Sequence, residues 1–440
     1  MNEEDVGRKM YGLIEELYPI CRSITGNGVR QSLDRIGRIV PLEIHEVPTG
    51  TEVFDWTVPR EWNIEEAFIE DSNGNRLIDF REHSLHVVSY SMPIDRLCEW
   101  DELQQHLHTL PEHPDWIPYR TSYYQENWGF CLAHRDLDRF KAGPFHVVIR
   151  SSLTEGSLTY GETVIPGATE REVLFFNHVC HPSLCNDNLS GNAVMAELAR
   201  RLRGRQSRFT YRFVWAPGTI GSITWLSRNE SHFGRIHAGL VGVLLGDAGP
   251  FHYKRTRGGA AEIDRVVEFV LKELHPDAKL LDFSPYGYDE RQFGSPGIDL
   301  PVGRLTRTPN GAYEEYHSSA DNLDFVRPEH LAESLRVLER IIEVLEGDAR
   351  YRNTQPKCEP QLGKRGLYGS TGGTQPKQRE HAILWLLSLS DTEHSLLDIC
   401  TKSGIGFDVV RTAADDLLNA GLLEECADPQ EAGESREFEK

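Results

Sequence analysis

The 440 residues are too many for one ordinary domain, so two or three domains are expected. The net charge of −21, from 47 basic and 68 acidic residues, argues against the clustered basic surface of a nucleic-acid-binding protein. No basic leader, no run of about 18 apolar residues and no dense cysteine framework is visible, so we expect a cytoplasmic protein without a signal peptide or membrane span.

The first part of the chain changes character at about residue 48. Residues 1–47 contain a helical pattern, the turn SITGNG and a second amphipathic helix, VRQSLDRIGRIV. Residues 48–116 contain short β-like runs, and SNGN is a turn of the kind that joins a hairpin. We therefore predict a small β-rich domain over 48–116, inserted into the domain that begins at residue 1.

Residues 117–354 alternate between strand-like and helical patterns. Four apolar, β-branched or aromatic runs have the length of strands: FHVVIRSS, EVLFFN, FTYRFVWA and GLVGVLLG. The helical patterns include GNAVMAELARRL, EIDRVVEFVLKEL and a last helix that begins at Pro328 and ends before Gly347. This alternation predicts an α/β domain, made from 1–47 and 117–354, with a mostly parallel central sheet flanked by helices.

The C-terminal part of the chain is predicted to be a separate helical domain. Residues 355–377 are rich in Gly, Pro and polar residues and are predicted to be a linker. Residues 378–440 contain three short helical patterns, as in a winged helix. They carry only 5 basic residues against 14 acidic ones, so phosphate contacts are not expected. Packing or dimerisation into a homo-oligomer is the expected role.

Residues with chemical potential crowd together directly after the run EVLFFN, in the stretch HVCHPSLCNDNLSG. In α/β sheets, functional groups gather in the loops that follow the carboxyl ends of strands. A further carboxylate ends the run GLVGVLLG, and a further histidine lies in the later loop EEYHSSADNLDF. Imidazole and carboxylate are typical zinc ligands. The candidate zinc ligands are therefore His178, His181, Asp187, Asp247 and His317.

Each candidate also has an ordinary structural explanation. A single histidine is more often a hydrogen-bonded structural group than a ligand, and an aspartate before a helix is frequently its cap. The short separation from Asp187 slightly favours His181, and both histidines stay candidates. Cys180 and Cys185 are expected to be buried free cysteines rather than thiolate ligands.

These motifs resemble those of a known family. A strand followed by His, a short loop, NDNLSG and a helix is similar to the first metal motif of the zinc exopeptidases that include leucyl aminopeptidases and glutaminyl cyclases. Tyr316-His317-Ser318, before Asp321, is similar to the last metal motif. The whole chain resembles a bacterial aminopeptidase-like family with a small β-rich insert and a C-terminal winged helix. The likeness is carried by VFDWTVPREWNIEEAFI, LHVVSYSMP, YDERQFGSPGIDLPVG and EYHSSADNLDF.

The resemblance implies a zinc-dependent hydrolase that attacks an amide or peptide bond through a metal-bound water. It implies that Asp187 and His317 bind zinc, and it puts Asp247 where the family's second-metal aspartate ends a strand. Asp289 matches a further acidic residue near the site and is the candidate partner of a substrate amine.

Two residues are candidates for binding a small peptide or amide substrate. Arg291 could hold a substrate carboxylate with its bidentate fork, although an ion pair is an equal alternative. Tyr316 is the second candidate, beside the last metal histidine.

The chain departs from the family pattern at two places. The family carries paired glutamates, a general base and a metal ligand, after the strand that corresponds to FTYRFVWA; here Gly218 and Thr219 stand there. The aspartate that orients the first metal histidine is also absent, because His178 is followed by Val179 and Cys180. Glu315 is then the candidate general base, and Glu314, Glu290 and Asp289 are the alternatives. A catalytically impaired metal-binding or assembly module is the alternative function.

Overall fold

The computed structural model of the chain describes residues 3–140, 143–367 and 378–426. They belong to two units, residues 1–339 and residues 340–440. Part of the predicted linker, residues 368–377, and the end of the predicted winged-helix domain, residues 427–440, lie outside the described residues.

The elements of the first unit are named here in chain order. The strands are β1 Glu43–Pro48, β2 Glu52–Val53, β3 Trp56–Thr57, β4 Glu61–Glu70, β5 Arg76–Asp79, β6 Ile94–Cys98, β7 Leu107–His108, β8 Phe130–Cys131, β9 Phe145–Thr154, β10 Ser157–Ile165, β11 Glu172–His178, β12 Thr210–Ala216, β13 Ile236–Gly242, β14 His252–Lys254, β15 Lys279–Leu281 and β16 Val302–Thr306. The helices are α1 Glu3–Leu17, α2 Asn27–Gly37, α3 Trp100–Leu103, α4 Gly191–Leu202, α5 Ile220–Arg228, α6 Glu262–Leu274, α7 Glu290–Phe293 and α8 Pro328–Gly347, which continues into the second unit.

The main sheet is mixed, and its middle strands are parallel. Its strand order is β1-β10-β12-β11-β13-β16-β14-β15. The strands β12, β11, β13 and β16 run parallel, whereas β1, β10 and β14 pair antiparallel with their inner neighbours. Every residue of β11 is buried, because a central parallel strand is covered on both faces, and this explains its unbroken apolar sequence. The predicted α/β fold is confirmed, with a mixed sheet.

A second sheet, in the order β5-β4-β9-β6, forms the β-rich part of the unit. The run FHVVIRSS was expected among the strands of the main sheet, and this prediction was wrong: β9 pairs antiparallel along β4 in the smaller sheet. Val147 and Ile149 of β9 fill the core of the smaller sheet. An apolar strand pattern does not indicate which sheet the strand joins. After Thr154, a tight turn leads the chain into β10 of the main sheet.

The second unit contains a three-stranded antiparallel sheet as well as the three predicted helices. Its further elements are β17 Arg350–Asn353, α9 Gln378–Leu389, β18 Asp391–Ser395, α10 Leu396–Ser403, α11 Phe407–Asn419 and β19 Leu423–Glu425. The strand order is β18-β17-β19. Ser395 and Asp398 begin α10 with a reciprocal capping box. The strand β17 precedes the predicted linker, so this unit begins its sheet earlier in the chain than the composition indicated.

Among the described residues, no helix is both long enough and apolar enough to cross a membrane.

Glu61 joins three elements of the first unit. Its carboxylate accepts hydrogen bonds from Arg30 on α2, at 2.8 and 2.6 Å, and from the amide of Ser157 at the start of β10, at 3.0 Å. The hydrogen bonds from Arg30 lower the pKa of Glu61 to about 2 from an ordinary value of 4.5. Because the folded pKa is the lower one, this stabilisation is complete above about pH 4.5 and is lost as the pH falls towards 2.

We predict that Glu61→Gln lowers the free energy of unfolding at pH 7 by about 1–3 kcal/mol, the range for hydrogen bonds between charged groups. The loss should be smaller at pH 3, where wild-type Glu61 is itself closer to protonation. Urea unfolding at both pH values measures this. Glu126→Gln is the control, because Glu126 makes an exposed ion pair with Arg60, and should change stability by less than about 0.5 kcal/mol. An equal loss from Glu61→Gln at both pH values would contradict the prediction.

Candidate metal centre

The site is built where β11 ends. The strand finishes at His178, and the following residues form a buried loop that passes Asp187 and leads into α4. The apolar side chains of β11 fix the strand in the sheet, so the first polar side chain after them stands at the carboxyl edge of the parallel strands. His178 and Asp187 are fully buried, and His181 is 8 % exposed.

Three imidazoles surround the carboxylate of Asp187. One carboxylate oxygen, Oδ1, lies 2.8 Å from Nε2 of His178 and 3.9 Å from Nδ1 of His181. The other, Oδ2, lies 3.0 Å from Nε2 of His317. The ligand atoms of His178, His181 and Asp187 all lie within 4.8 Å of one another. Four of the five candidate ligands are therefore together in space.

The charges of the site favour metal binding. Burial raises the pKa of Asp187, but the neighbouring imidazoles of His181, His178 and His317 outweigh burial and hold that pKa well below its usual range. Burial also lowers the pKa of His181 to about 3. Asp187 is thus an anion and His181 a neutral imidazole near neutral pH, the forms in which both residues act as ligands.

A polar scaffold holds the loop between β11 and α4. The carboxylate of Asp321 accepts the backbone amides of Asn186, at 2.6 Å, and Asp187, at 3.0 Å. The side chain of Asn188 donates to Asn177 Oδ1 at 2.7 Å and to the carbonyl of His178 at 3.2 Å. These groups satisfy a buried loop that makes few bonds of regular secondary structure. The sequence analysis quoted NDNLSG but did not identify this role of its asparagines.

The loop that carries His317 is held against residues 117–119. The carbonyl of His317 accepts the amide of Tyr119 at 2.8 Å, and the amide of Ser319 donates to Ile117 at the same distance. The ring of Tyr119 packs edge-on against His317 and His181, at centroid distances of 5.0 and 5.2 Å. The backbone of His317 has φ of 56°, a left-handed conformation that such contacts must stabilise.

Tyr288 is a site residue that the sequence analysis missed. Its ring stacks on His178, with centroids 5.1 Å apart, and its hydroxyl lies 3.4 Å from Asp187 Oδ2 and 3.3 Å from His317 Nε2. The same hydroxyl is hydrogen-bonded to Tyr316, whose ring stacks on His317 at 3.9 Å. The signal was present in YGYDERQF, a segment considered only for its charged residues.

Asp247 is not brought to the imidazoles. Its carboxylate accepts hydrogen bonds from Thr308 Oγ1 at 2.6 Å, from the amide of Gly249 at 2.7 Å and from the side chain of Asn186 at 3.0 Å. These donors fix the loop that follows β13, so the strand-end aspartate of the sequence motif has a structural role here. Asp247 is therefore not part of the group formed by His178, His181 and Asp187.

Glu315 and Arg291 lie outside the cluster. Glu315 is half-buried, and its carboxylate has no hydrogen-bond or ion-pair partner among the described residues, while its backbone carbonyl accepts from Ser318. Arg291 is exposed.

Asp289, the predicted partner of a substrate amine, is close to the cluster and is fully buried. Its Oδ1 accepts the hydroxyl of Ser222 at 2.6 Å, and its Oδ2 has no hydrogen-bond partner among the described residues. Burial raises the pKa of Asp289 to about 6. A Cβ atom on Gly218 would lie 3.2 Å from Asp289 Oδ2 and 3.1 Å from Cβ of His178, so the residue that replaces the family's glutamate borders both side chains.

The donor set fits zinc. Imidazole nitrogens and a carboxylate oxygen are the ligands of many catalytic zinc sites. Here they converge, and the carboxylate is anionic before any ion binds. His178, Asp187 and His317 would hold the ion, with His181 as a further ligand candidate.

Comparisons with known proteins identify the family and the C-terminal domain. The family described as "Domain of unknown function (DUF4910)" matches residues 11–348, and a winged helix-turn-helix family matches residues 349–425. The second match confirms the predicted winged-helix domain. A Clostridium acetobutylicum protein is 51% identical over 423 residues, 96% of this chain and 97% of that protein. It is provisionally named a polysaccharide biosynthesis protein with an aminopeptidase-like domain.

Two solved structures show the fold. A crystal structure from Clostridium acetobutylicum, provisionally described as a peptidase, has a TM-score of 0.92 and 50% identity, covering 97% of this chain and 98% of that chain. BSAP, a zinc aminopeptidase from Bacillus subtilis, has a TM-score of 0.55 at 13% identity, covering 77% of this chain and 95% of that chain. The predicted aminopeptidase-like fold is confirmed.

We predict that the metal-free chain takes up zinc and is stabilised by it. At a free zinc concentration of about 100 times Kd, the stabilisation should be about 2.7 kcal/mol. Asp187→Ala should abolish this gain and His317→Ala should reduce it, whereas His394→Ala, in the second unit, should leave it unchanged. Elemental analysis and thermal unfolding with and without zinc provide the measurements. A wild-type chain without stoichiometric zinc after reconstitution would disprove the prediction.

Proposed function

Because the chain belongs to the DUF4910 family and has an aminopeptidase-like fold, we propose that it is a zinc-dependent hydrolase that cleaves an amide or peptide bond in a small substrate. The observation that carries the proposal is the convergence of His178, His181 and His317 on the buried carboxylate of Asp187. A structural role would not require three imidazoles around one fully buried carboxylate, since hydrogen bonds from backbone amides satisfy the neighbouring buried aspartate, Asp321, which comes from the loop of His317.

When bound, zinc would polarise the substrate carbonyl and lower the pKa of the attacking water. The chain itself would orient the ligands. Asp187 spans the site with its two oxygens, and the stacked rings of Tyr288 and Tyr316 fix the planes of His178 and His317. Tyr316, which is half-buried, is also our candidate for a contact with the substrate.

The proton from the attacking water needs an acceptor, and position 218 does not supply one. We assign this role to Glu315, because its carboxylate is half-buried and is not engaged with another described side chain. A general base contributes about 10²–10⁴-fold to the rate. Arg291 is the second residue of α7 and is exposed. It is our candidate for holding a substrate carboxylate.

Gly218 also supports a second candidate function, a metal-binding or assembly module without catalysis. Without the family's paired glutamates, both a general base and a ligand for a second metal are missing from their usual place. Zinc binding without turnover would be the mark of such a module.

A substrate screen decides between the two functions. We expect hydrolysis of at least one class among aminoacyl-anilides, peptides that begin with Gln or Glu, and amino sugars that carry an amide-linked amino acid. The last class is included because of the provisional name of the Clostridium relative. Asp187→Ala should remove the turnover completely, since it removes the carboxylate that links the imidazoles. Turnover that survives Asp187→Ala would disprove the proposal, and the absence of turnover on all classes would favour the non-catalytic module.

Glu315→Gln tests the general base separately. With zinc content unchanged, kcat should fall about 10²–10⁴-fold. Glu314→Gln is a matched control, because Glu314 is the exposed neighbour in the same loop and should keep most of the activity. Equal effects of the two substitutions would reject Glu315 as the base.

A further inference from the structure

His178 has one ring nitrogen without a partner. Nε2 faces Asp187 at 2.8 Å, whereas Nδ1 is buried and has no hydrogen-bond partner among the described residues. When Nε2 of a histidine binds a metal, Nδ1 carries the proton and needs an acceptor; metal-bound histidines nearly always donate it to a carboxylate or a carbonyl. A buried donor left unsatisfied is destabilising. This inference rests on the proposed zinc site.

The acceptor does not come from the position at which the resembling family has it. Residue 180 is a cysteine, and its thiol faces the carbonyl of Gly218 at 3.8 Å. A cysteine thiol is only a weak hydrogen-bonding group, and this one is directed at that carbonyl, so it does not take the place of a carboxylate acceptor.

Asp289 has a buried acceptor atom without a partner. It is fully buried, Ser222 engages only its Oδ1, and its Oδ2 lacks a hydrogen-bond partner among the described residues. It follows Tyr288, whose ring lies parallel to that of His178 at 5.1 Å, so the same segment already packs on this histidine. A buried donor site and a buried acceptor site, both unsatisfied, are therefore brought to one place by two different loops.

Gly218 stands at the boundary between them. A Cβ atom at this position would contact Cβ of His178 at 3.1 Å and Oδ2 of Asp289 at 3.2 Å, closer than ordinary van der Waals contact. Any side chain here would press on both residues. Glycine leaves them free to approach each other.

We propose that Asp289 is the positioning carboxylate of the metal centre, which accepts the Nδ1 proton of His178 and so replaces the aspartate missing at position 180. Ser222 orients the carboxylate through Oδ1, and Oδ2 is left for the imidazole. Gly218 is required because it permits this approach. Asp289 acts through His178 and does not itself touch the ion.

The test measures metal affinity rather than activity. Zinc affinity of the full chain is determined by competition with a chromophoric chelator, and Co²⁺ absorption reports the ligand set. We expect Asp289→Ala to weaken zinc binding about 10–100-fold, the usual effect of losing such an outer partner. Its Co²⁺ spectrum should keep the wild-type band positions, whereas His178→Ala should shift them. Gly218→Ala, which keeps every polar group, should also weaken zinc binding.

A matched control separates positioning from general loosening. Asp264 is another buried aspartate, hydrogen-bonded by Tyr253 at 2.8 Å and Thr256 at 2.6 Å, away from the metal ligands. Asp264→Ala should lower thermal stability but leave zinc affinity unchanged. An equal loss of zinc affinity in Asp264→Ala would overturn the inference.

The other outcomes distinguish this inference from the proposed function. If folded Asp289→Ala binds zinc as tightly as wild type, the inference is overturned even where the enzyme is active. A Co²⁺ spectrum altered by Asp289→Ala would make Asp289 a ligand and would also overturn it. Weaker zinc binding by Asp289→Ala and Gly218→Ala in a chain without any turnover would uphold the inference while the proposed hydrolase fails. If Asp289→Ala does not fold, the zinc affinity of Gly218→Ala alone tests the inference: weaker binding than wild type upholds it, and unchanged binding overturns it. A wild-type chain that binds no zinc overturns both.

Discussion

The buried charge of Asp187 is the constraint on which the rest of the centre depends. An ionised carboxylate inside a protein loses several kcal/mol of solvation, so it persists only where partners surround it. Here each oxygen has an imidazole within hydrogen-bond distance, His178 on one side and His317 on the other. These two histidines lie 139 positions apart in the chain, so the carboxylate ties the end of β11 to a loop that follows β16. The pairing is useful for function as well, since an ion that replaced the imidazole protons would find its ligands already assembled.

The loops that present these ligands are irregular, and their backbone groups have to be satisfied without a helix or a sheet. Side chains do this. The carboxylate of Asp321 accepts hydrogen bonds from the backbone amides of Asn186 and Asp187. The side chain of Asn188 donates to the carbonyl at the end of β11. The 117–119 segment does the same for the left-handed turn at His317. Such networks are cooperative, because each member fixes the geometry that the next one needs. The precision of the ligand positions therefore comes from residues that never approach the metal position.

The sequence could predict those parts of the protein that depend on local pattern or on a linear motif. The unbroken apolar run of β11 indicated a buried central strand, and the order of His178, Asp187 and His317 indicated three members of the cluster before any fold was known. Features that depend on a choice between partners were not predictable. The residues of β9 suit either sheet, and the choice was made by the core that Val147 and Ile149 enter.

Asp247 shows the same limit within the site. An aspartate at the end of a strand can bind a metal or can hold the next loop by accepting hydrogen bonds, and the sequence does not distinguish the two. In the structure, Asp247 accepts hydrogen bonds from Thr308 and Gly249. Tyr288 was missed for a related reason, since a tyrosine in a loop has no sequence property that distinguishes a ring stacked on a ligand from a ring in a core.

Gly218 has a different meaning once its surroundings are known. From the sequence it is a loss, because a glutamate of the related exopeptidases is absent. In the structure its backbone carbonyl faces Cys180, and its missing side chain leaves room between His178 and Asp289. A glutamate at 218 would have to pass through the space that Asp289 borders, and an aspartate at 180 would compete for the same imidazole nitrogen. Glycine at 218, cysteine at 180 and the buried carboxylate of Asp289 thus belong together. In our proposal they are an alternative way to place a negative charge beside Nδ1 of His178. This arrangement does not restore a general base at position 218, so the hydrolysis that we propose needs a proton acceptor from another loop.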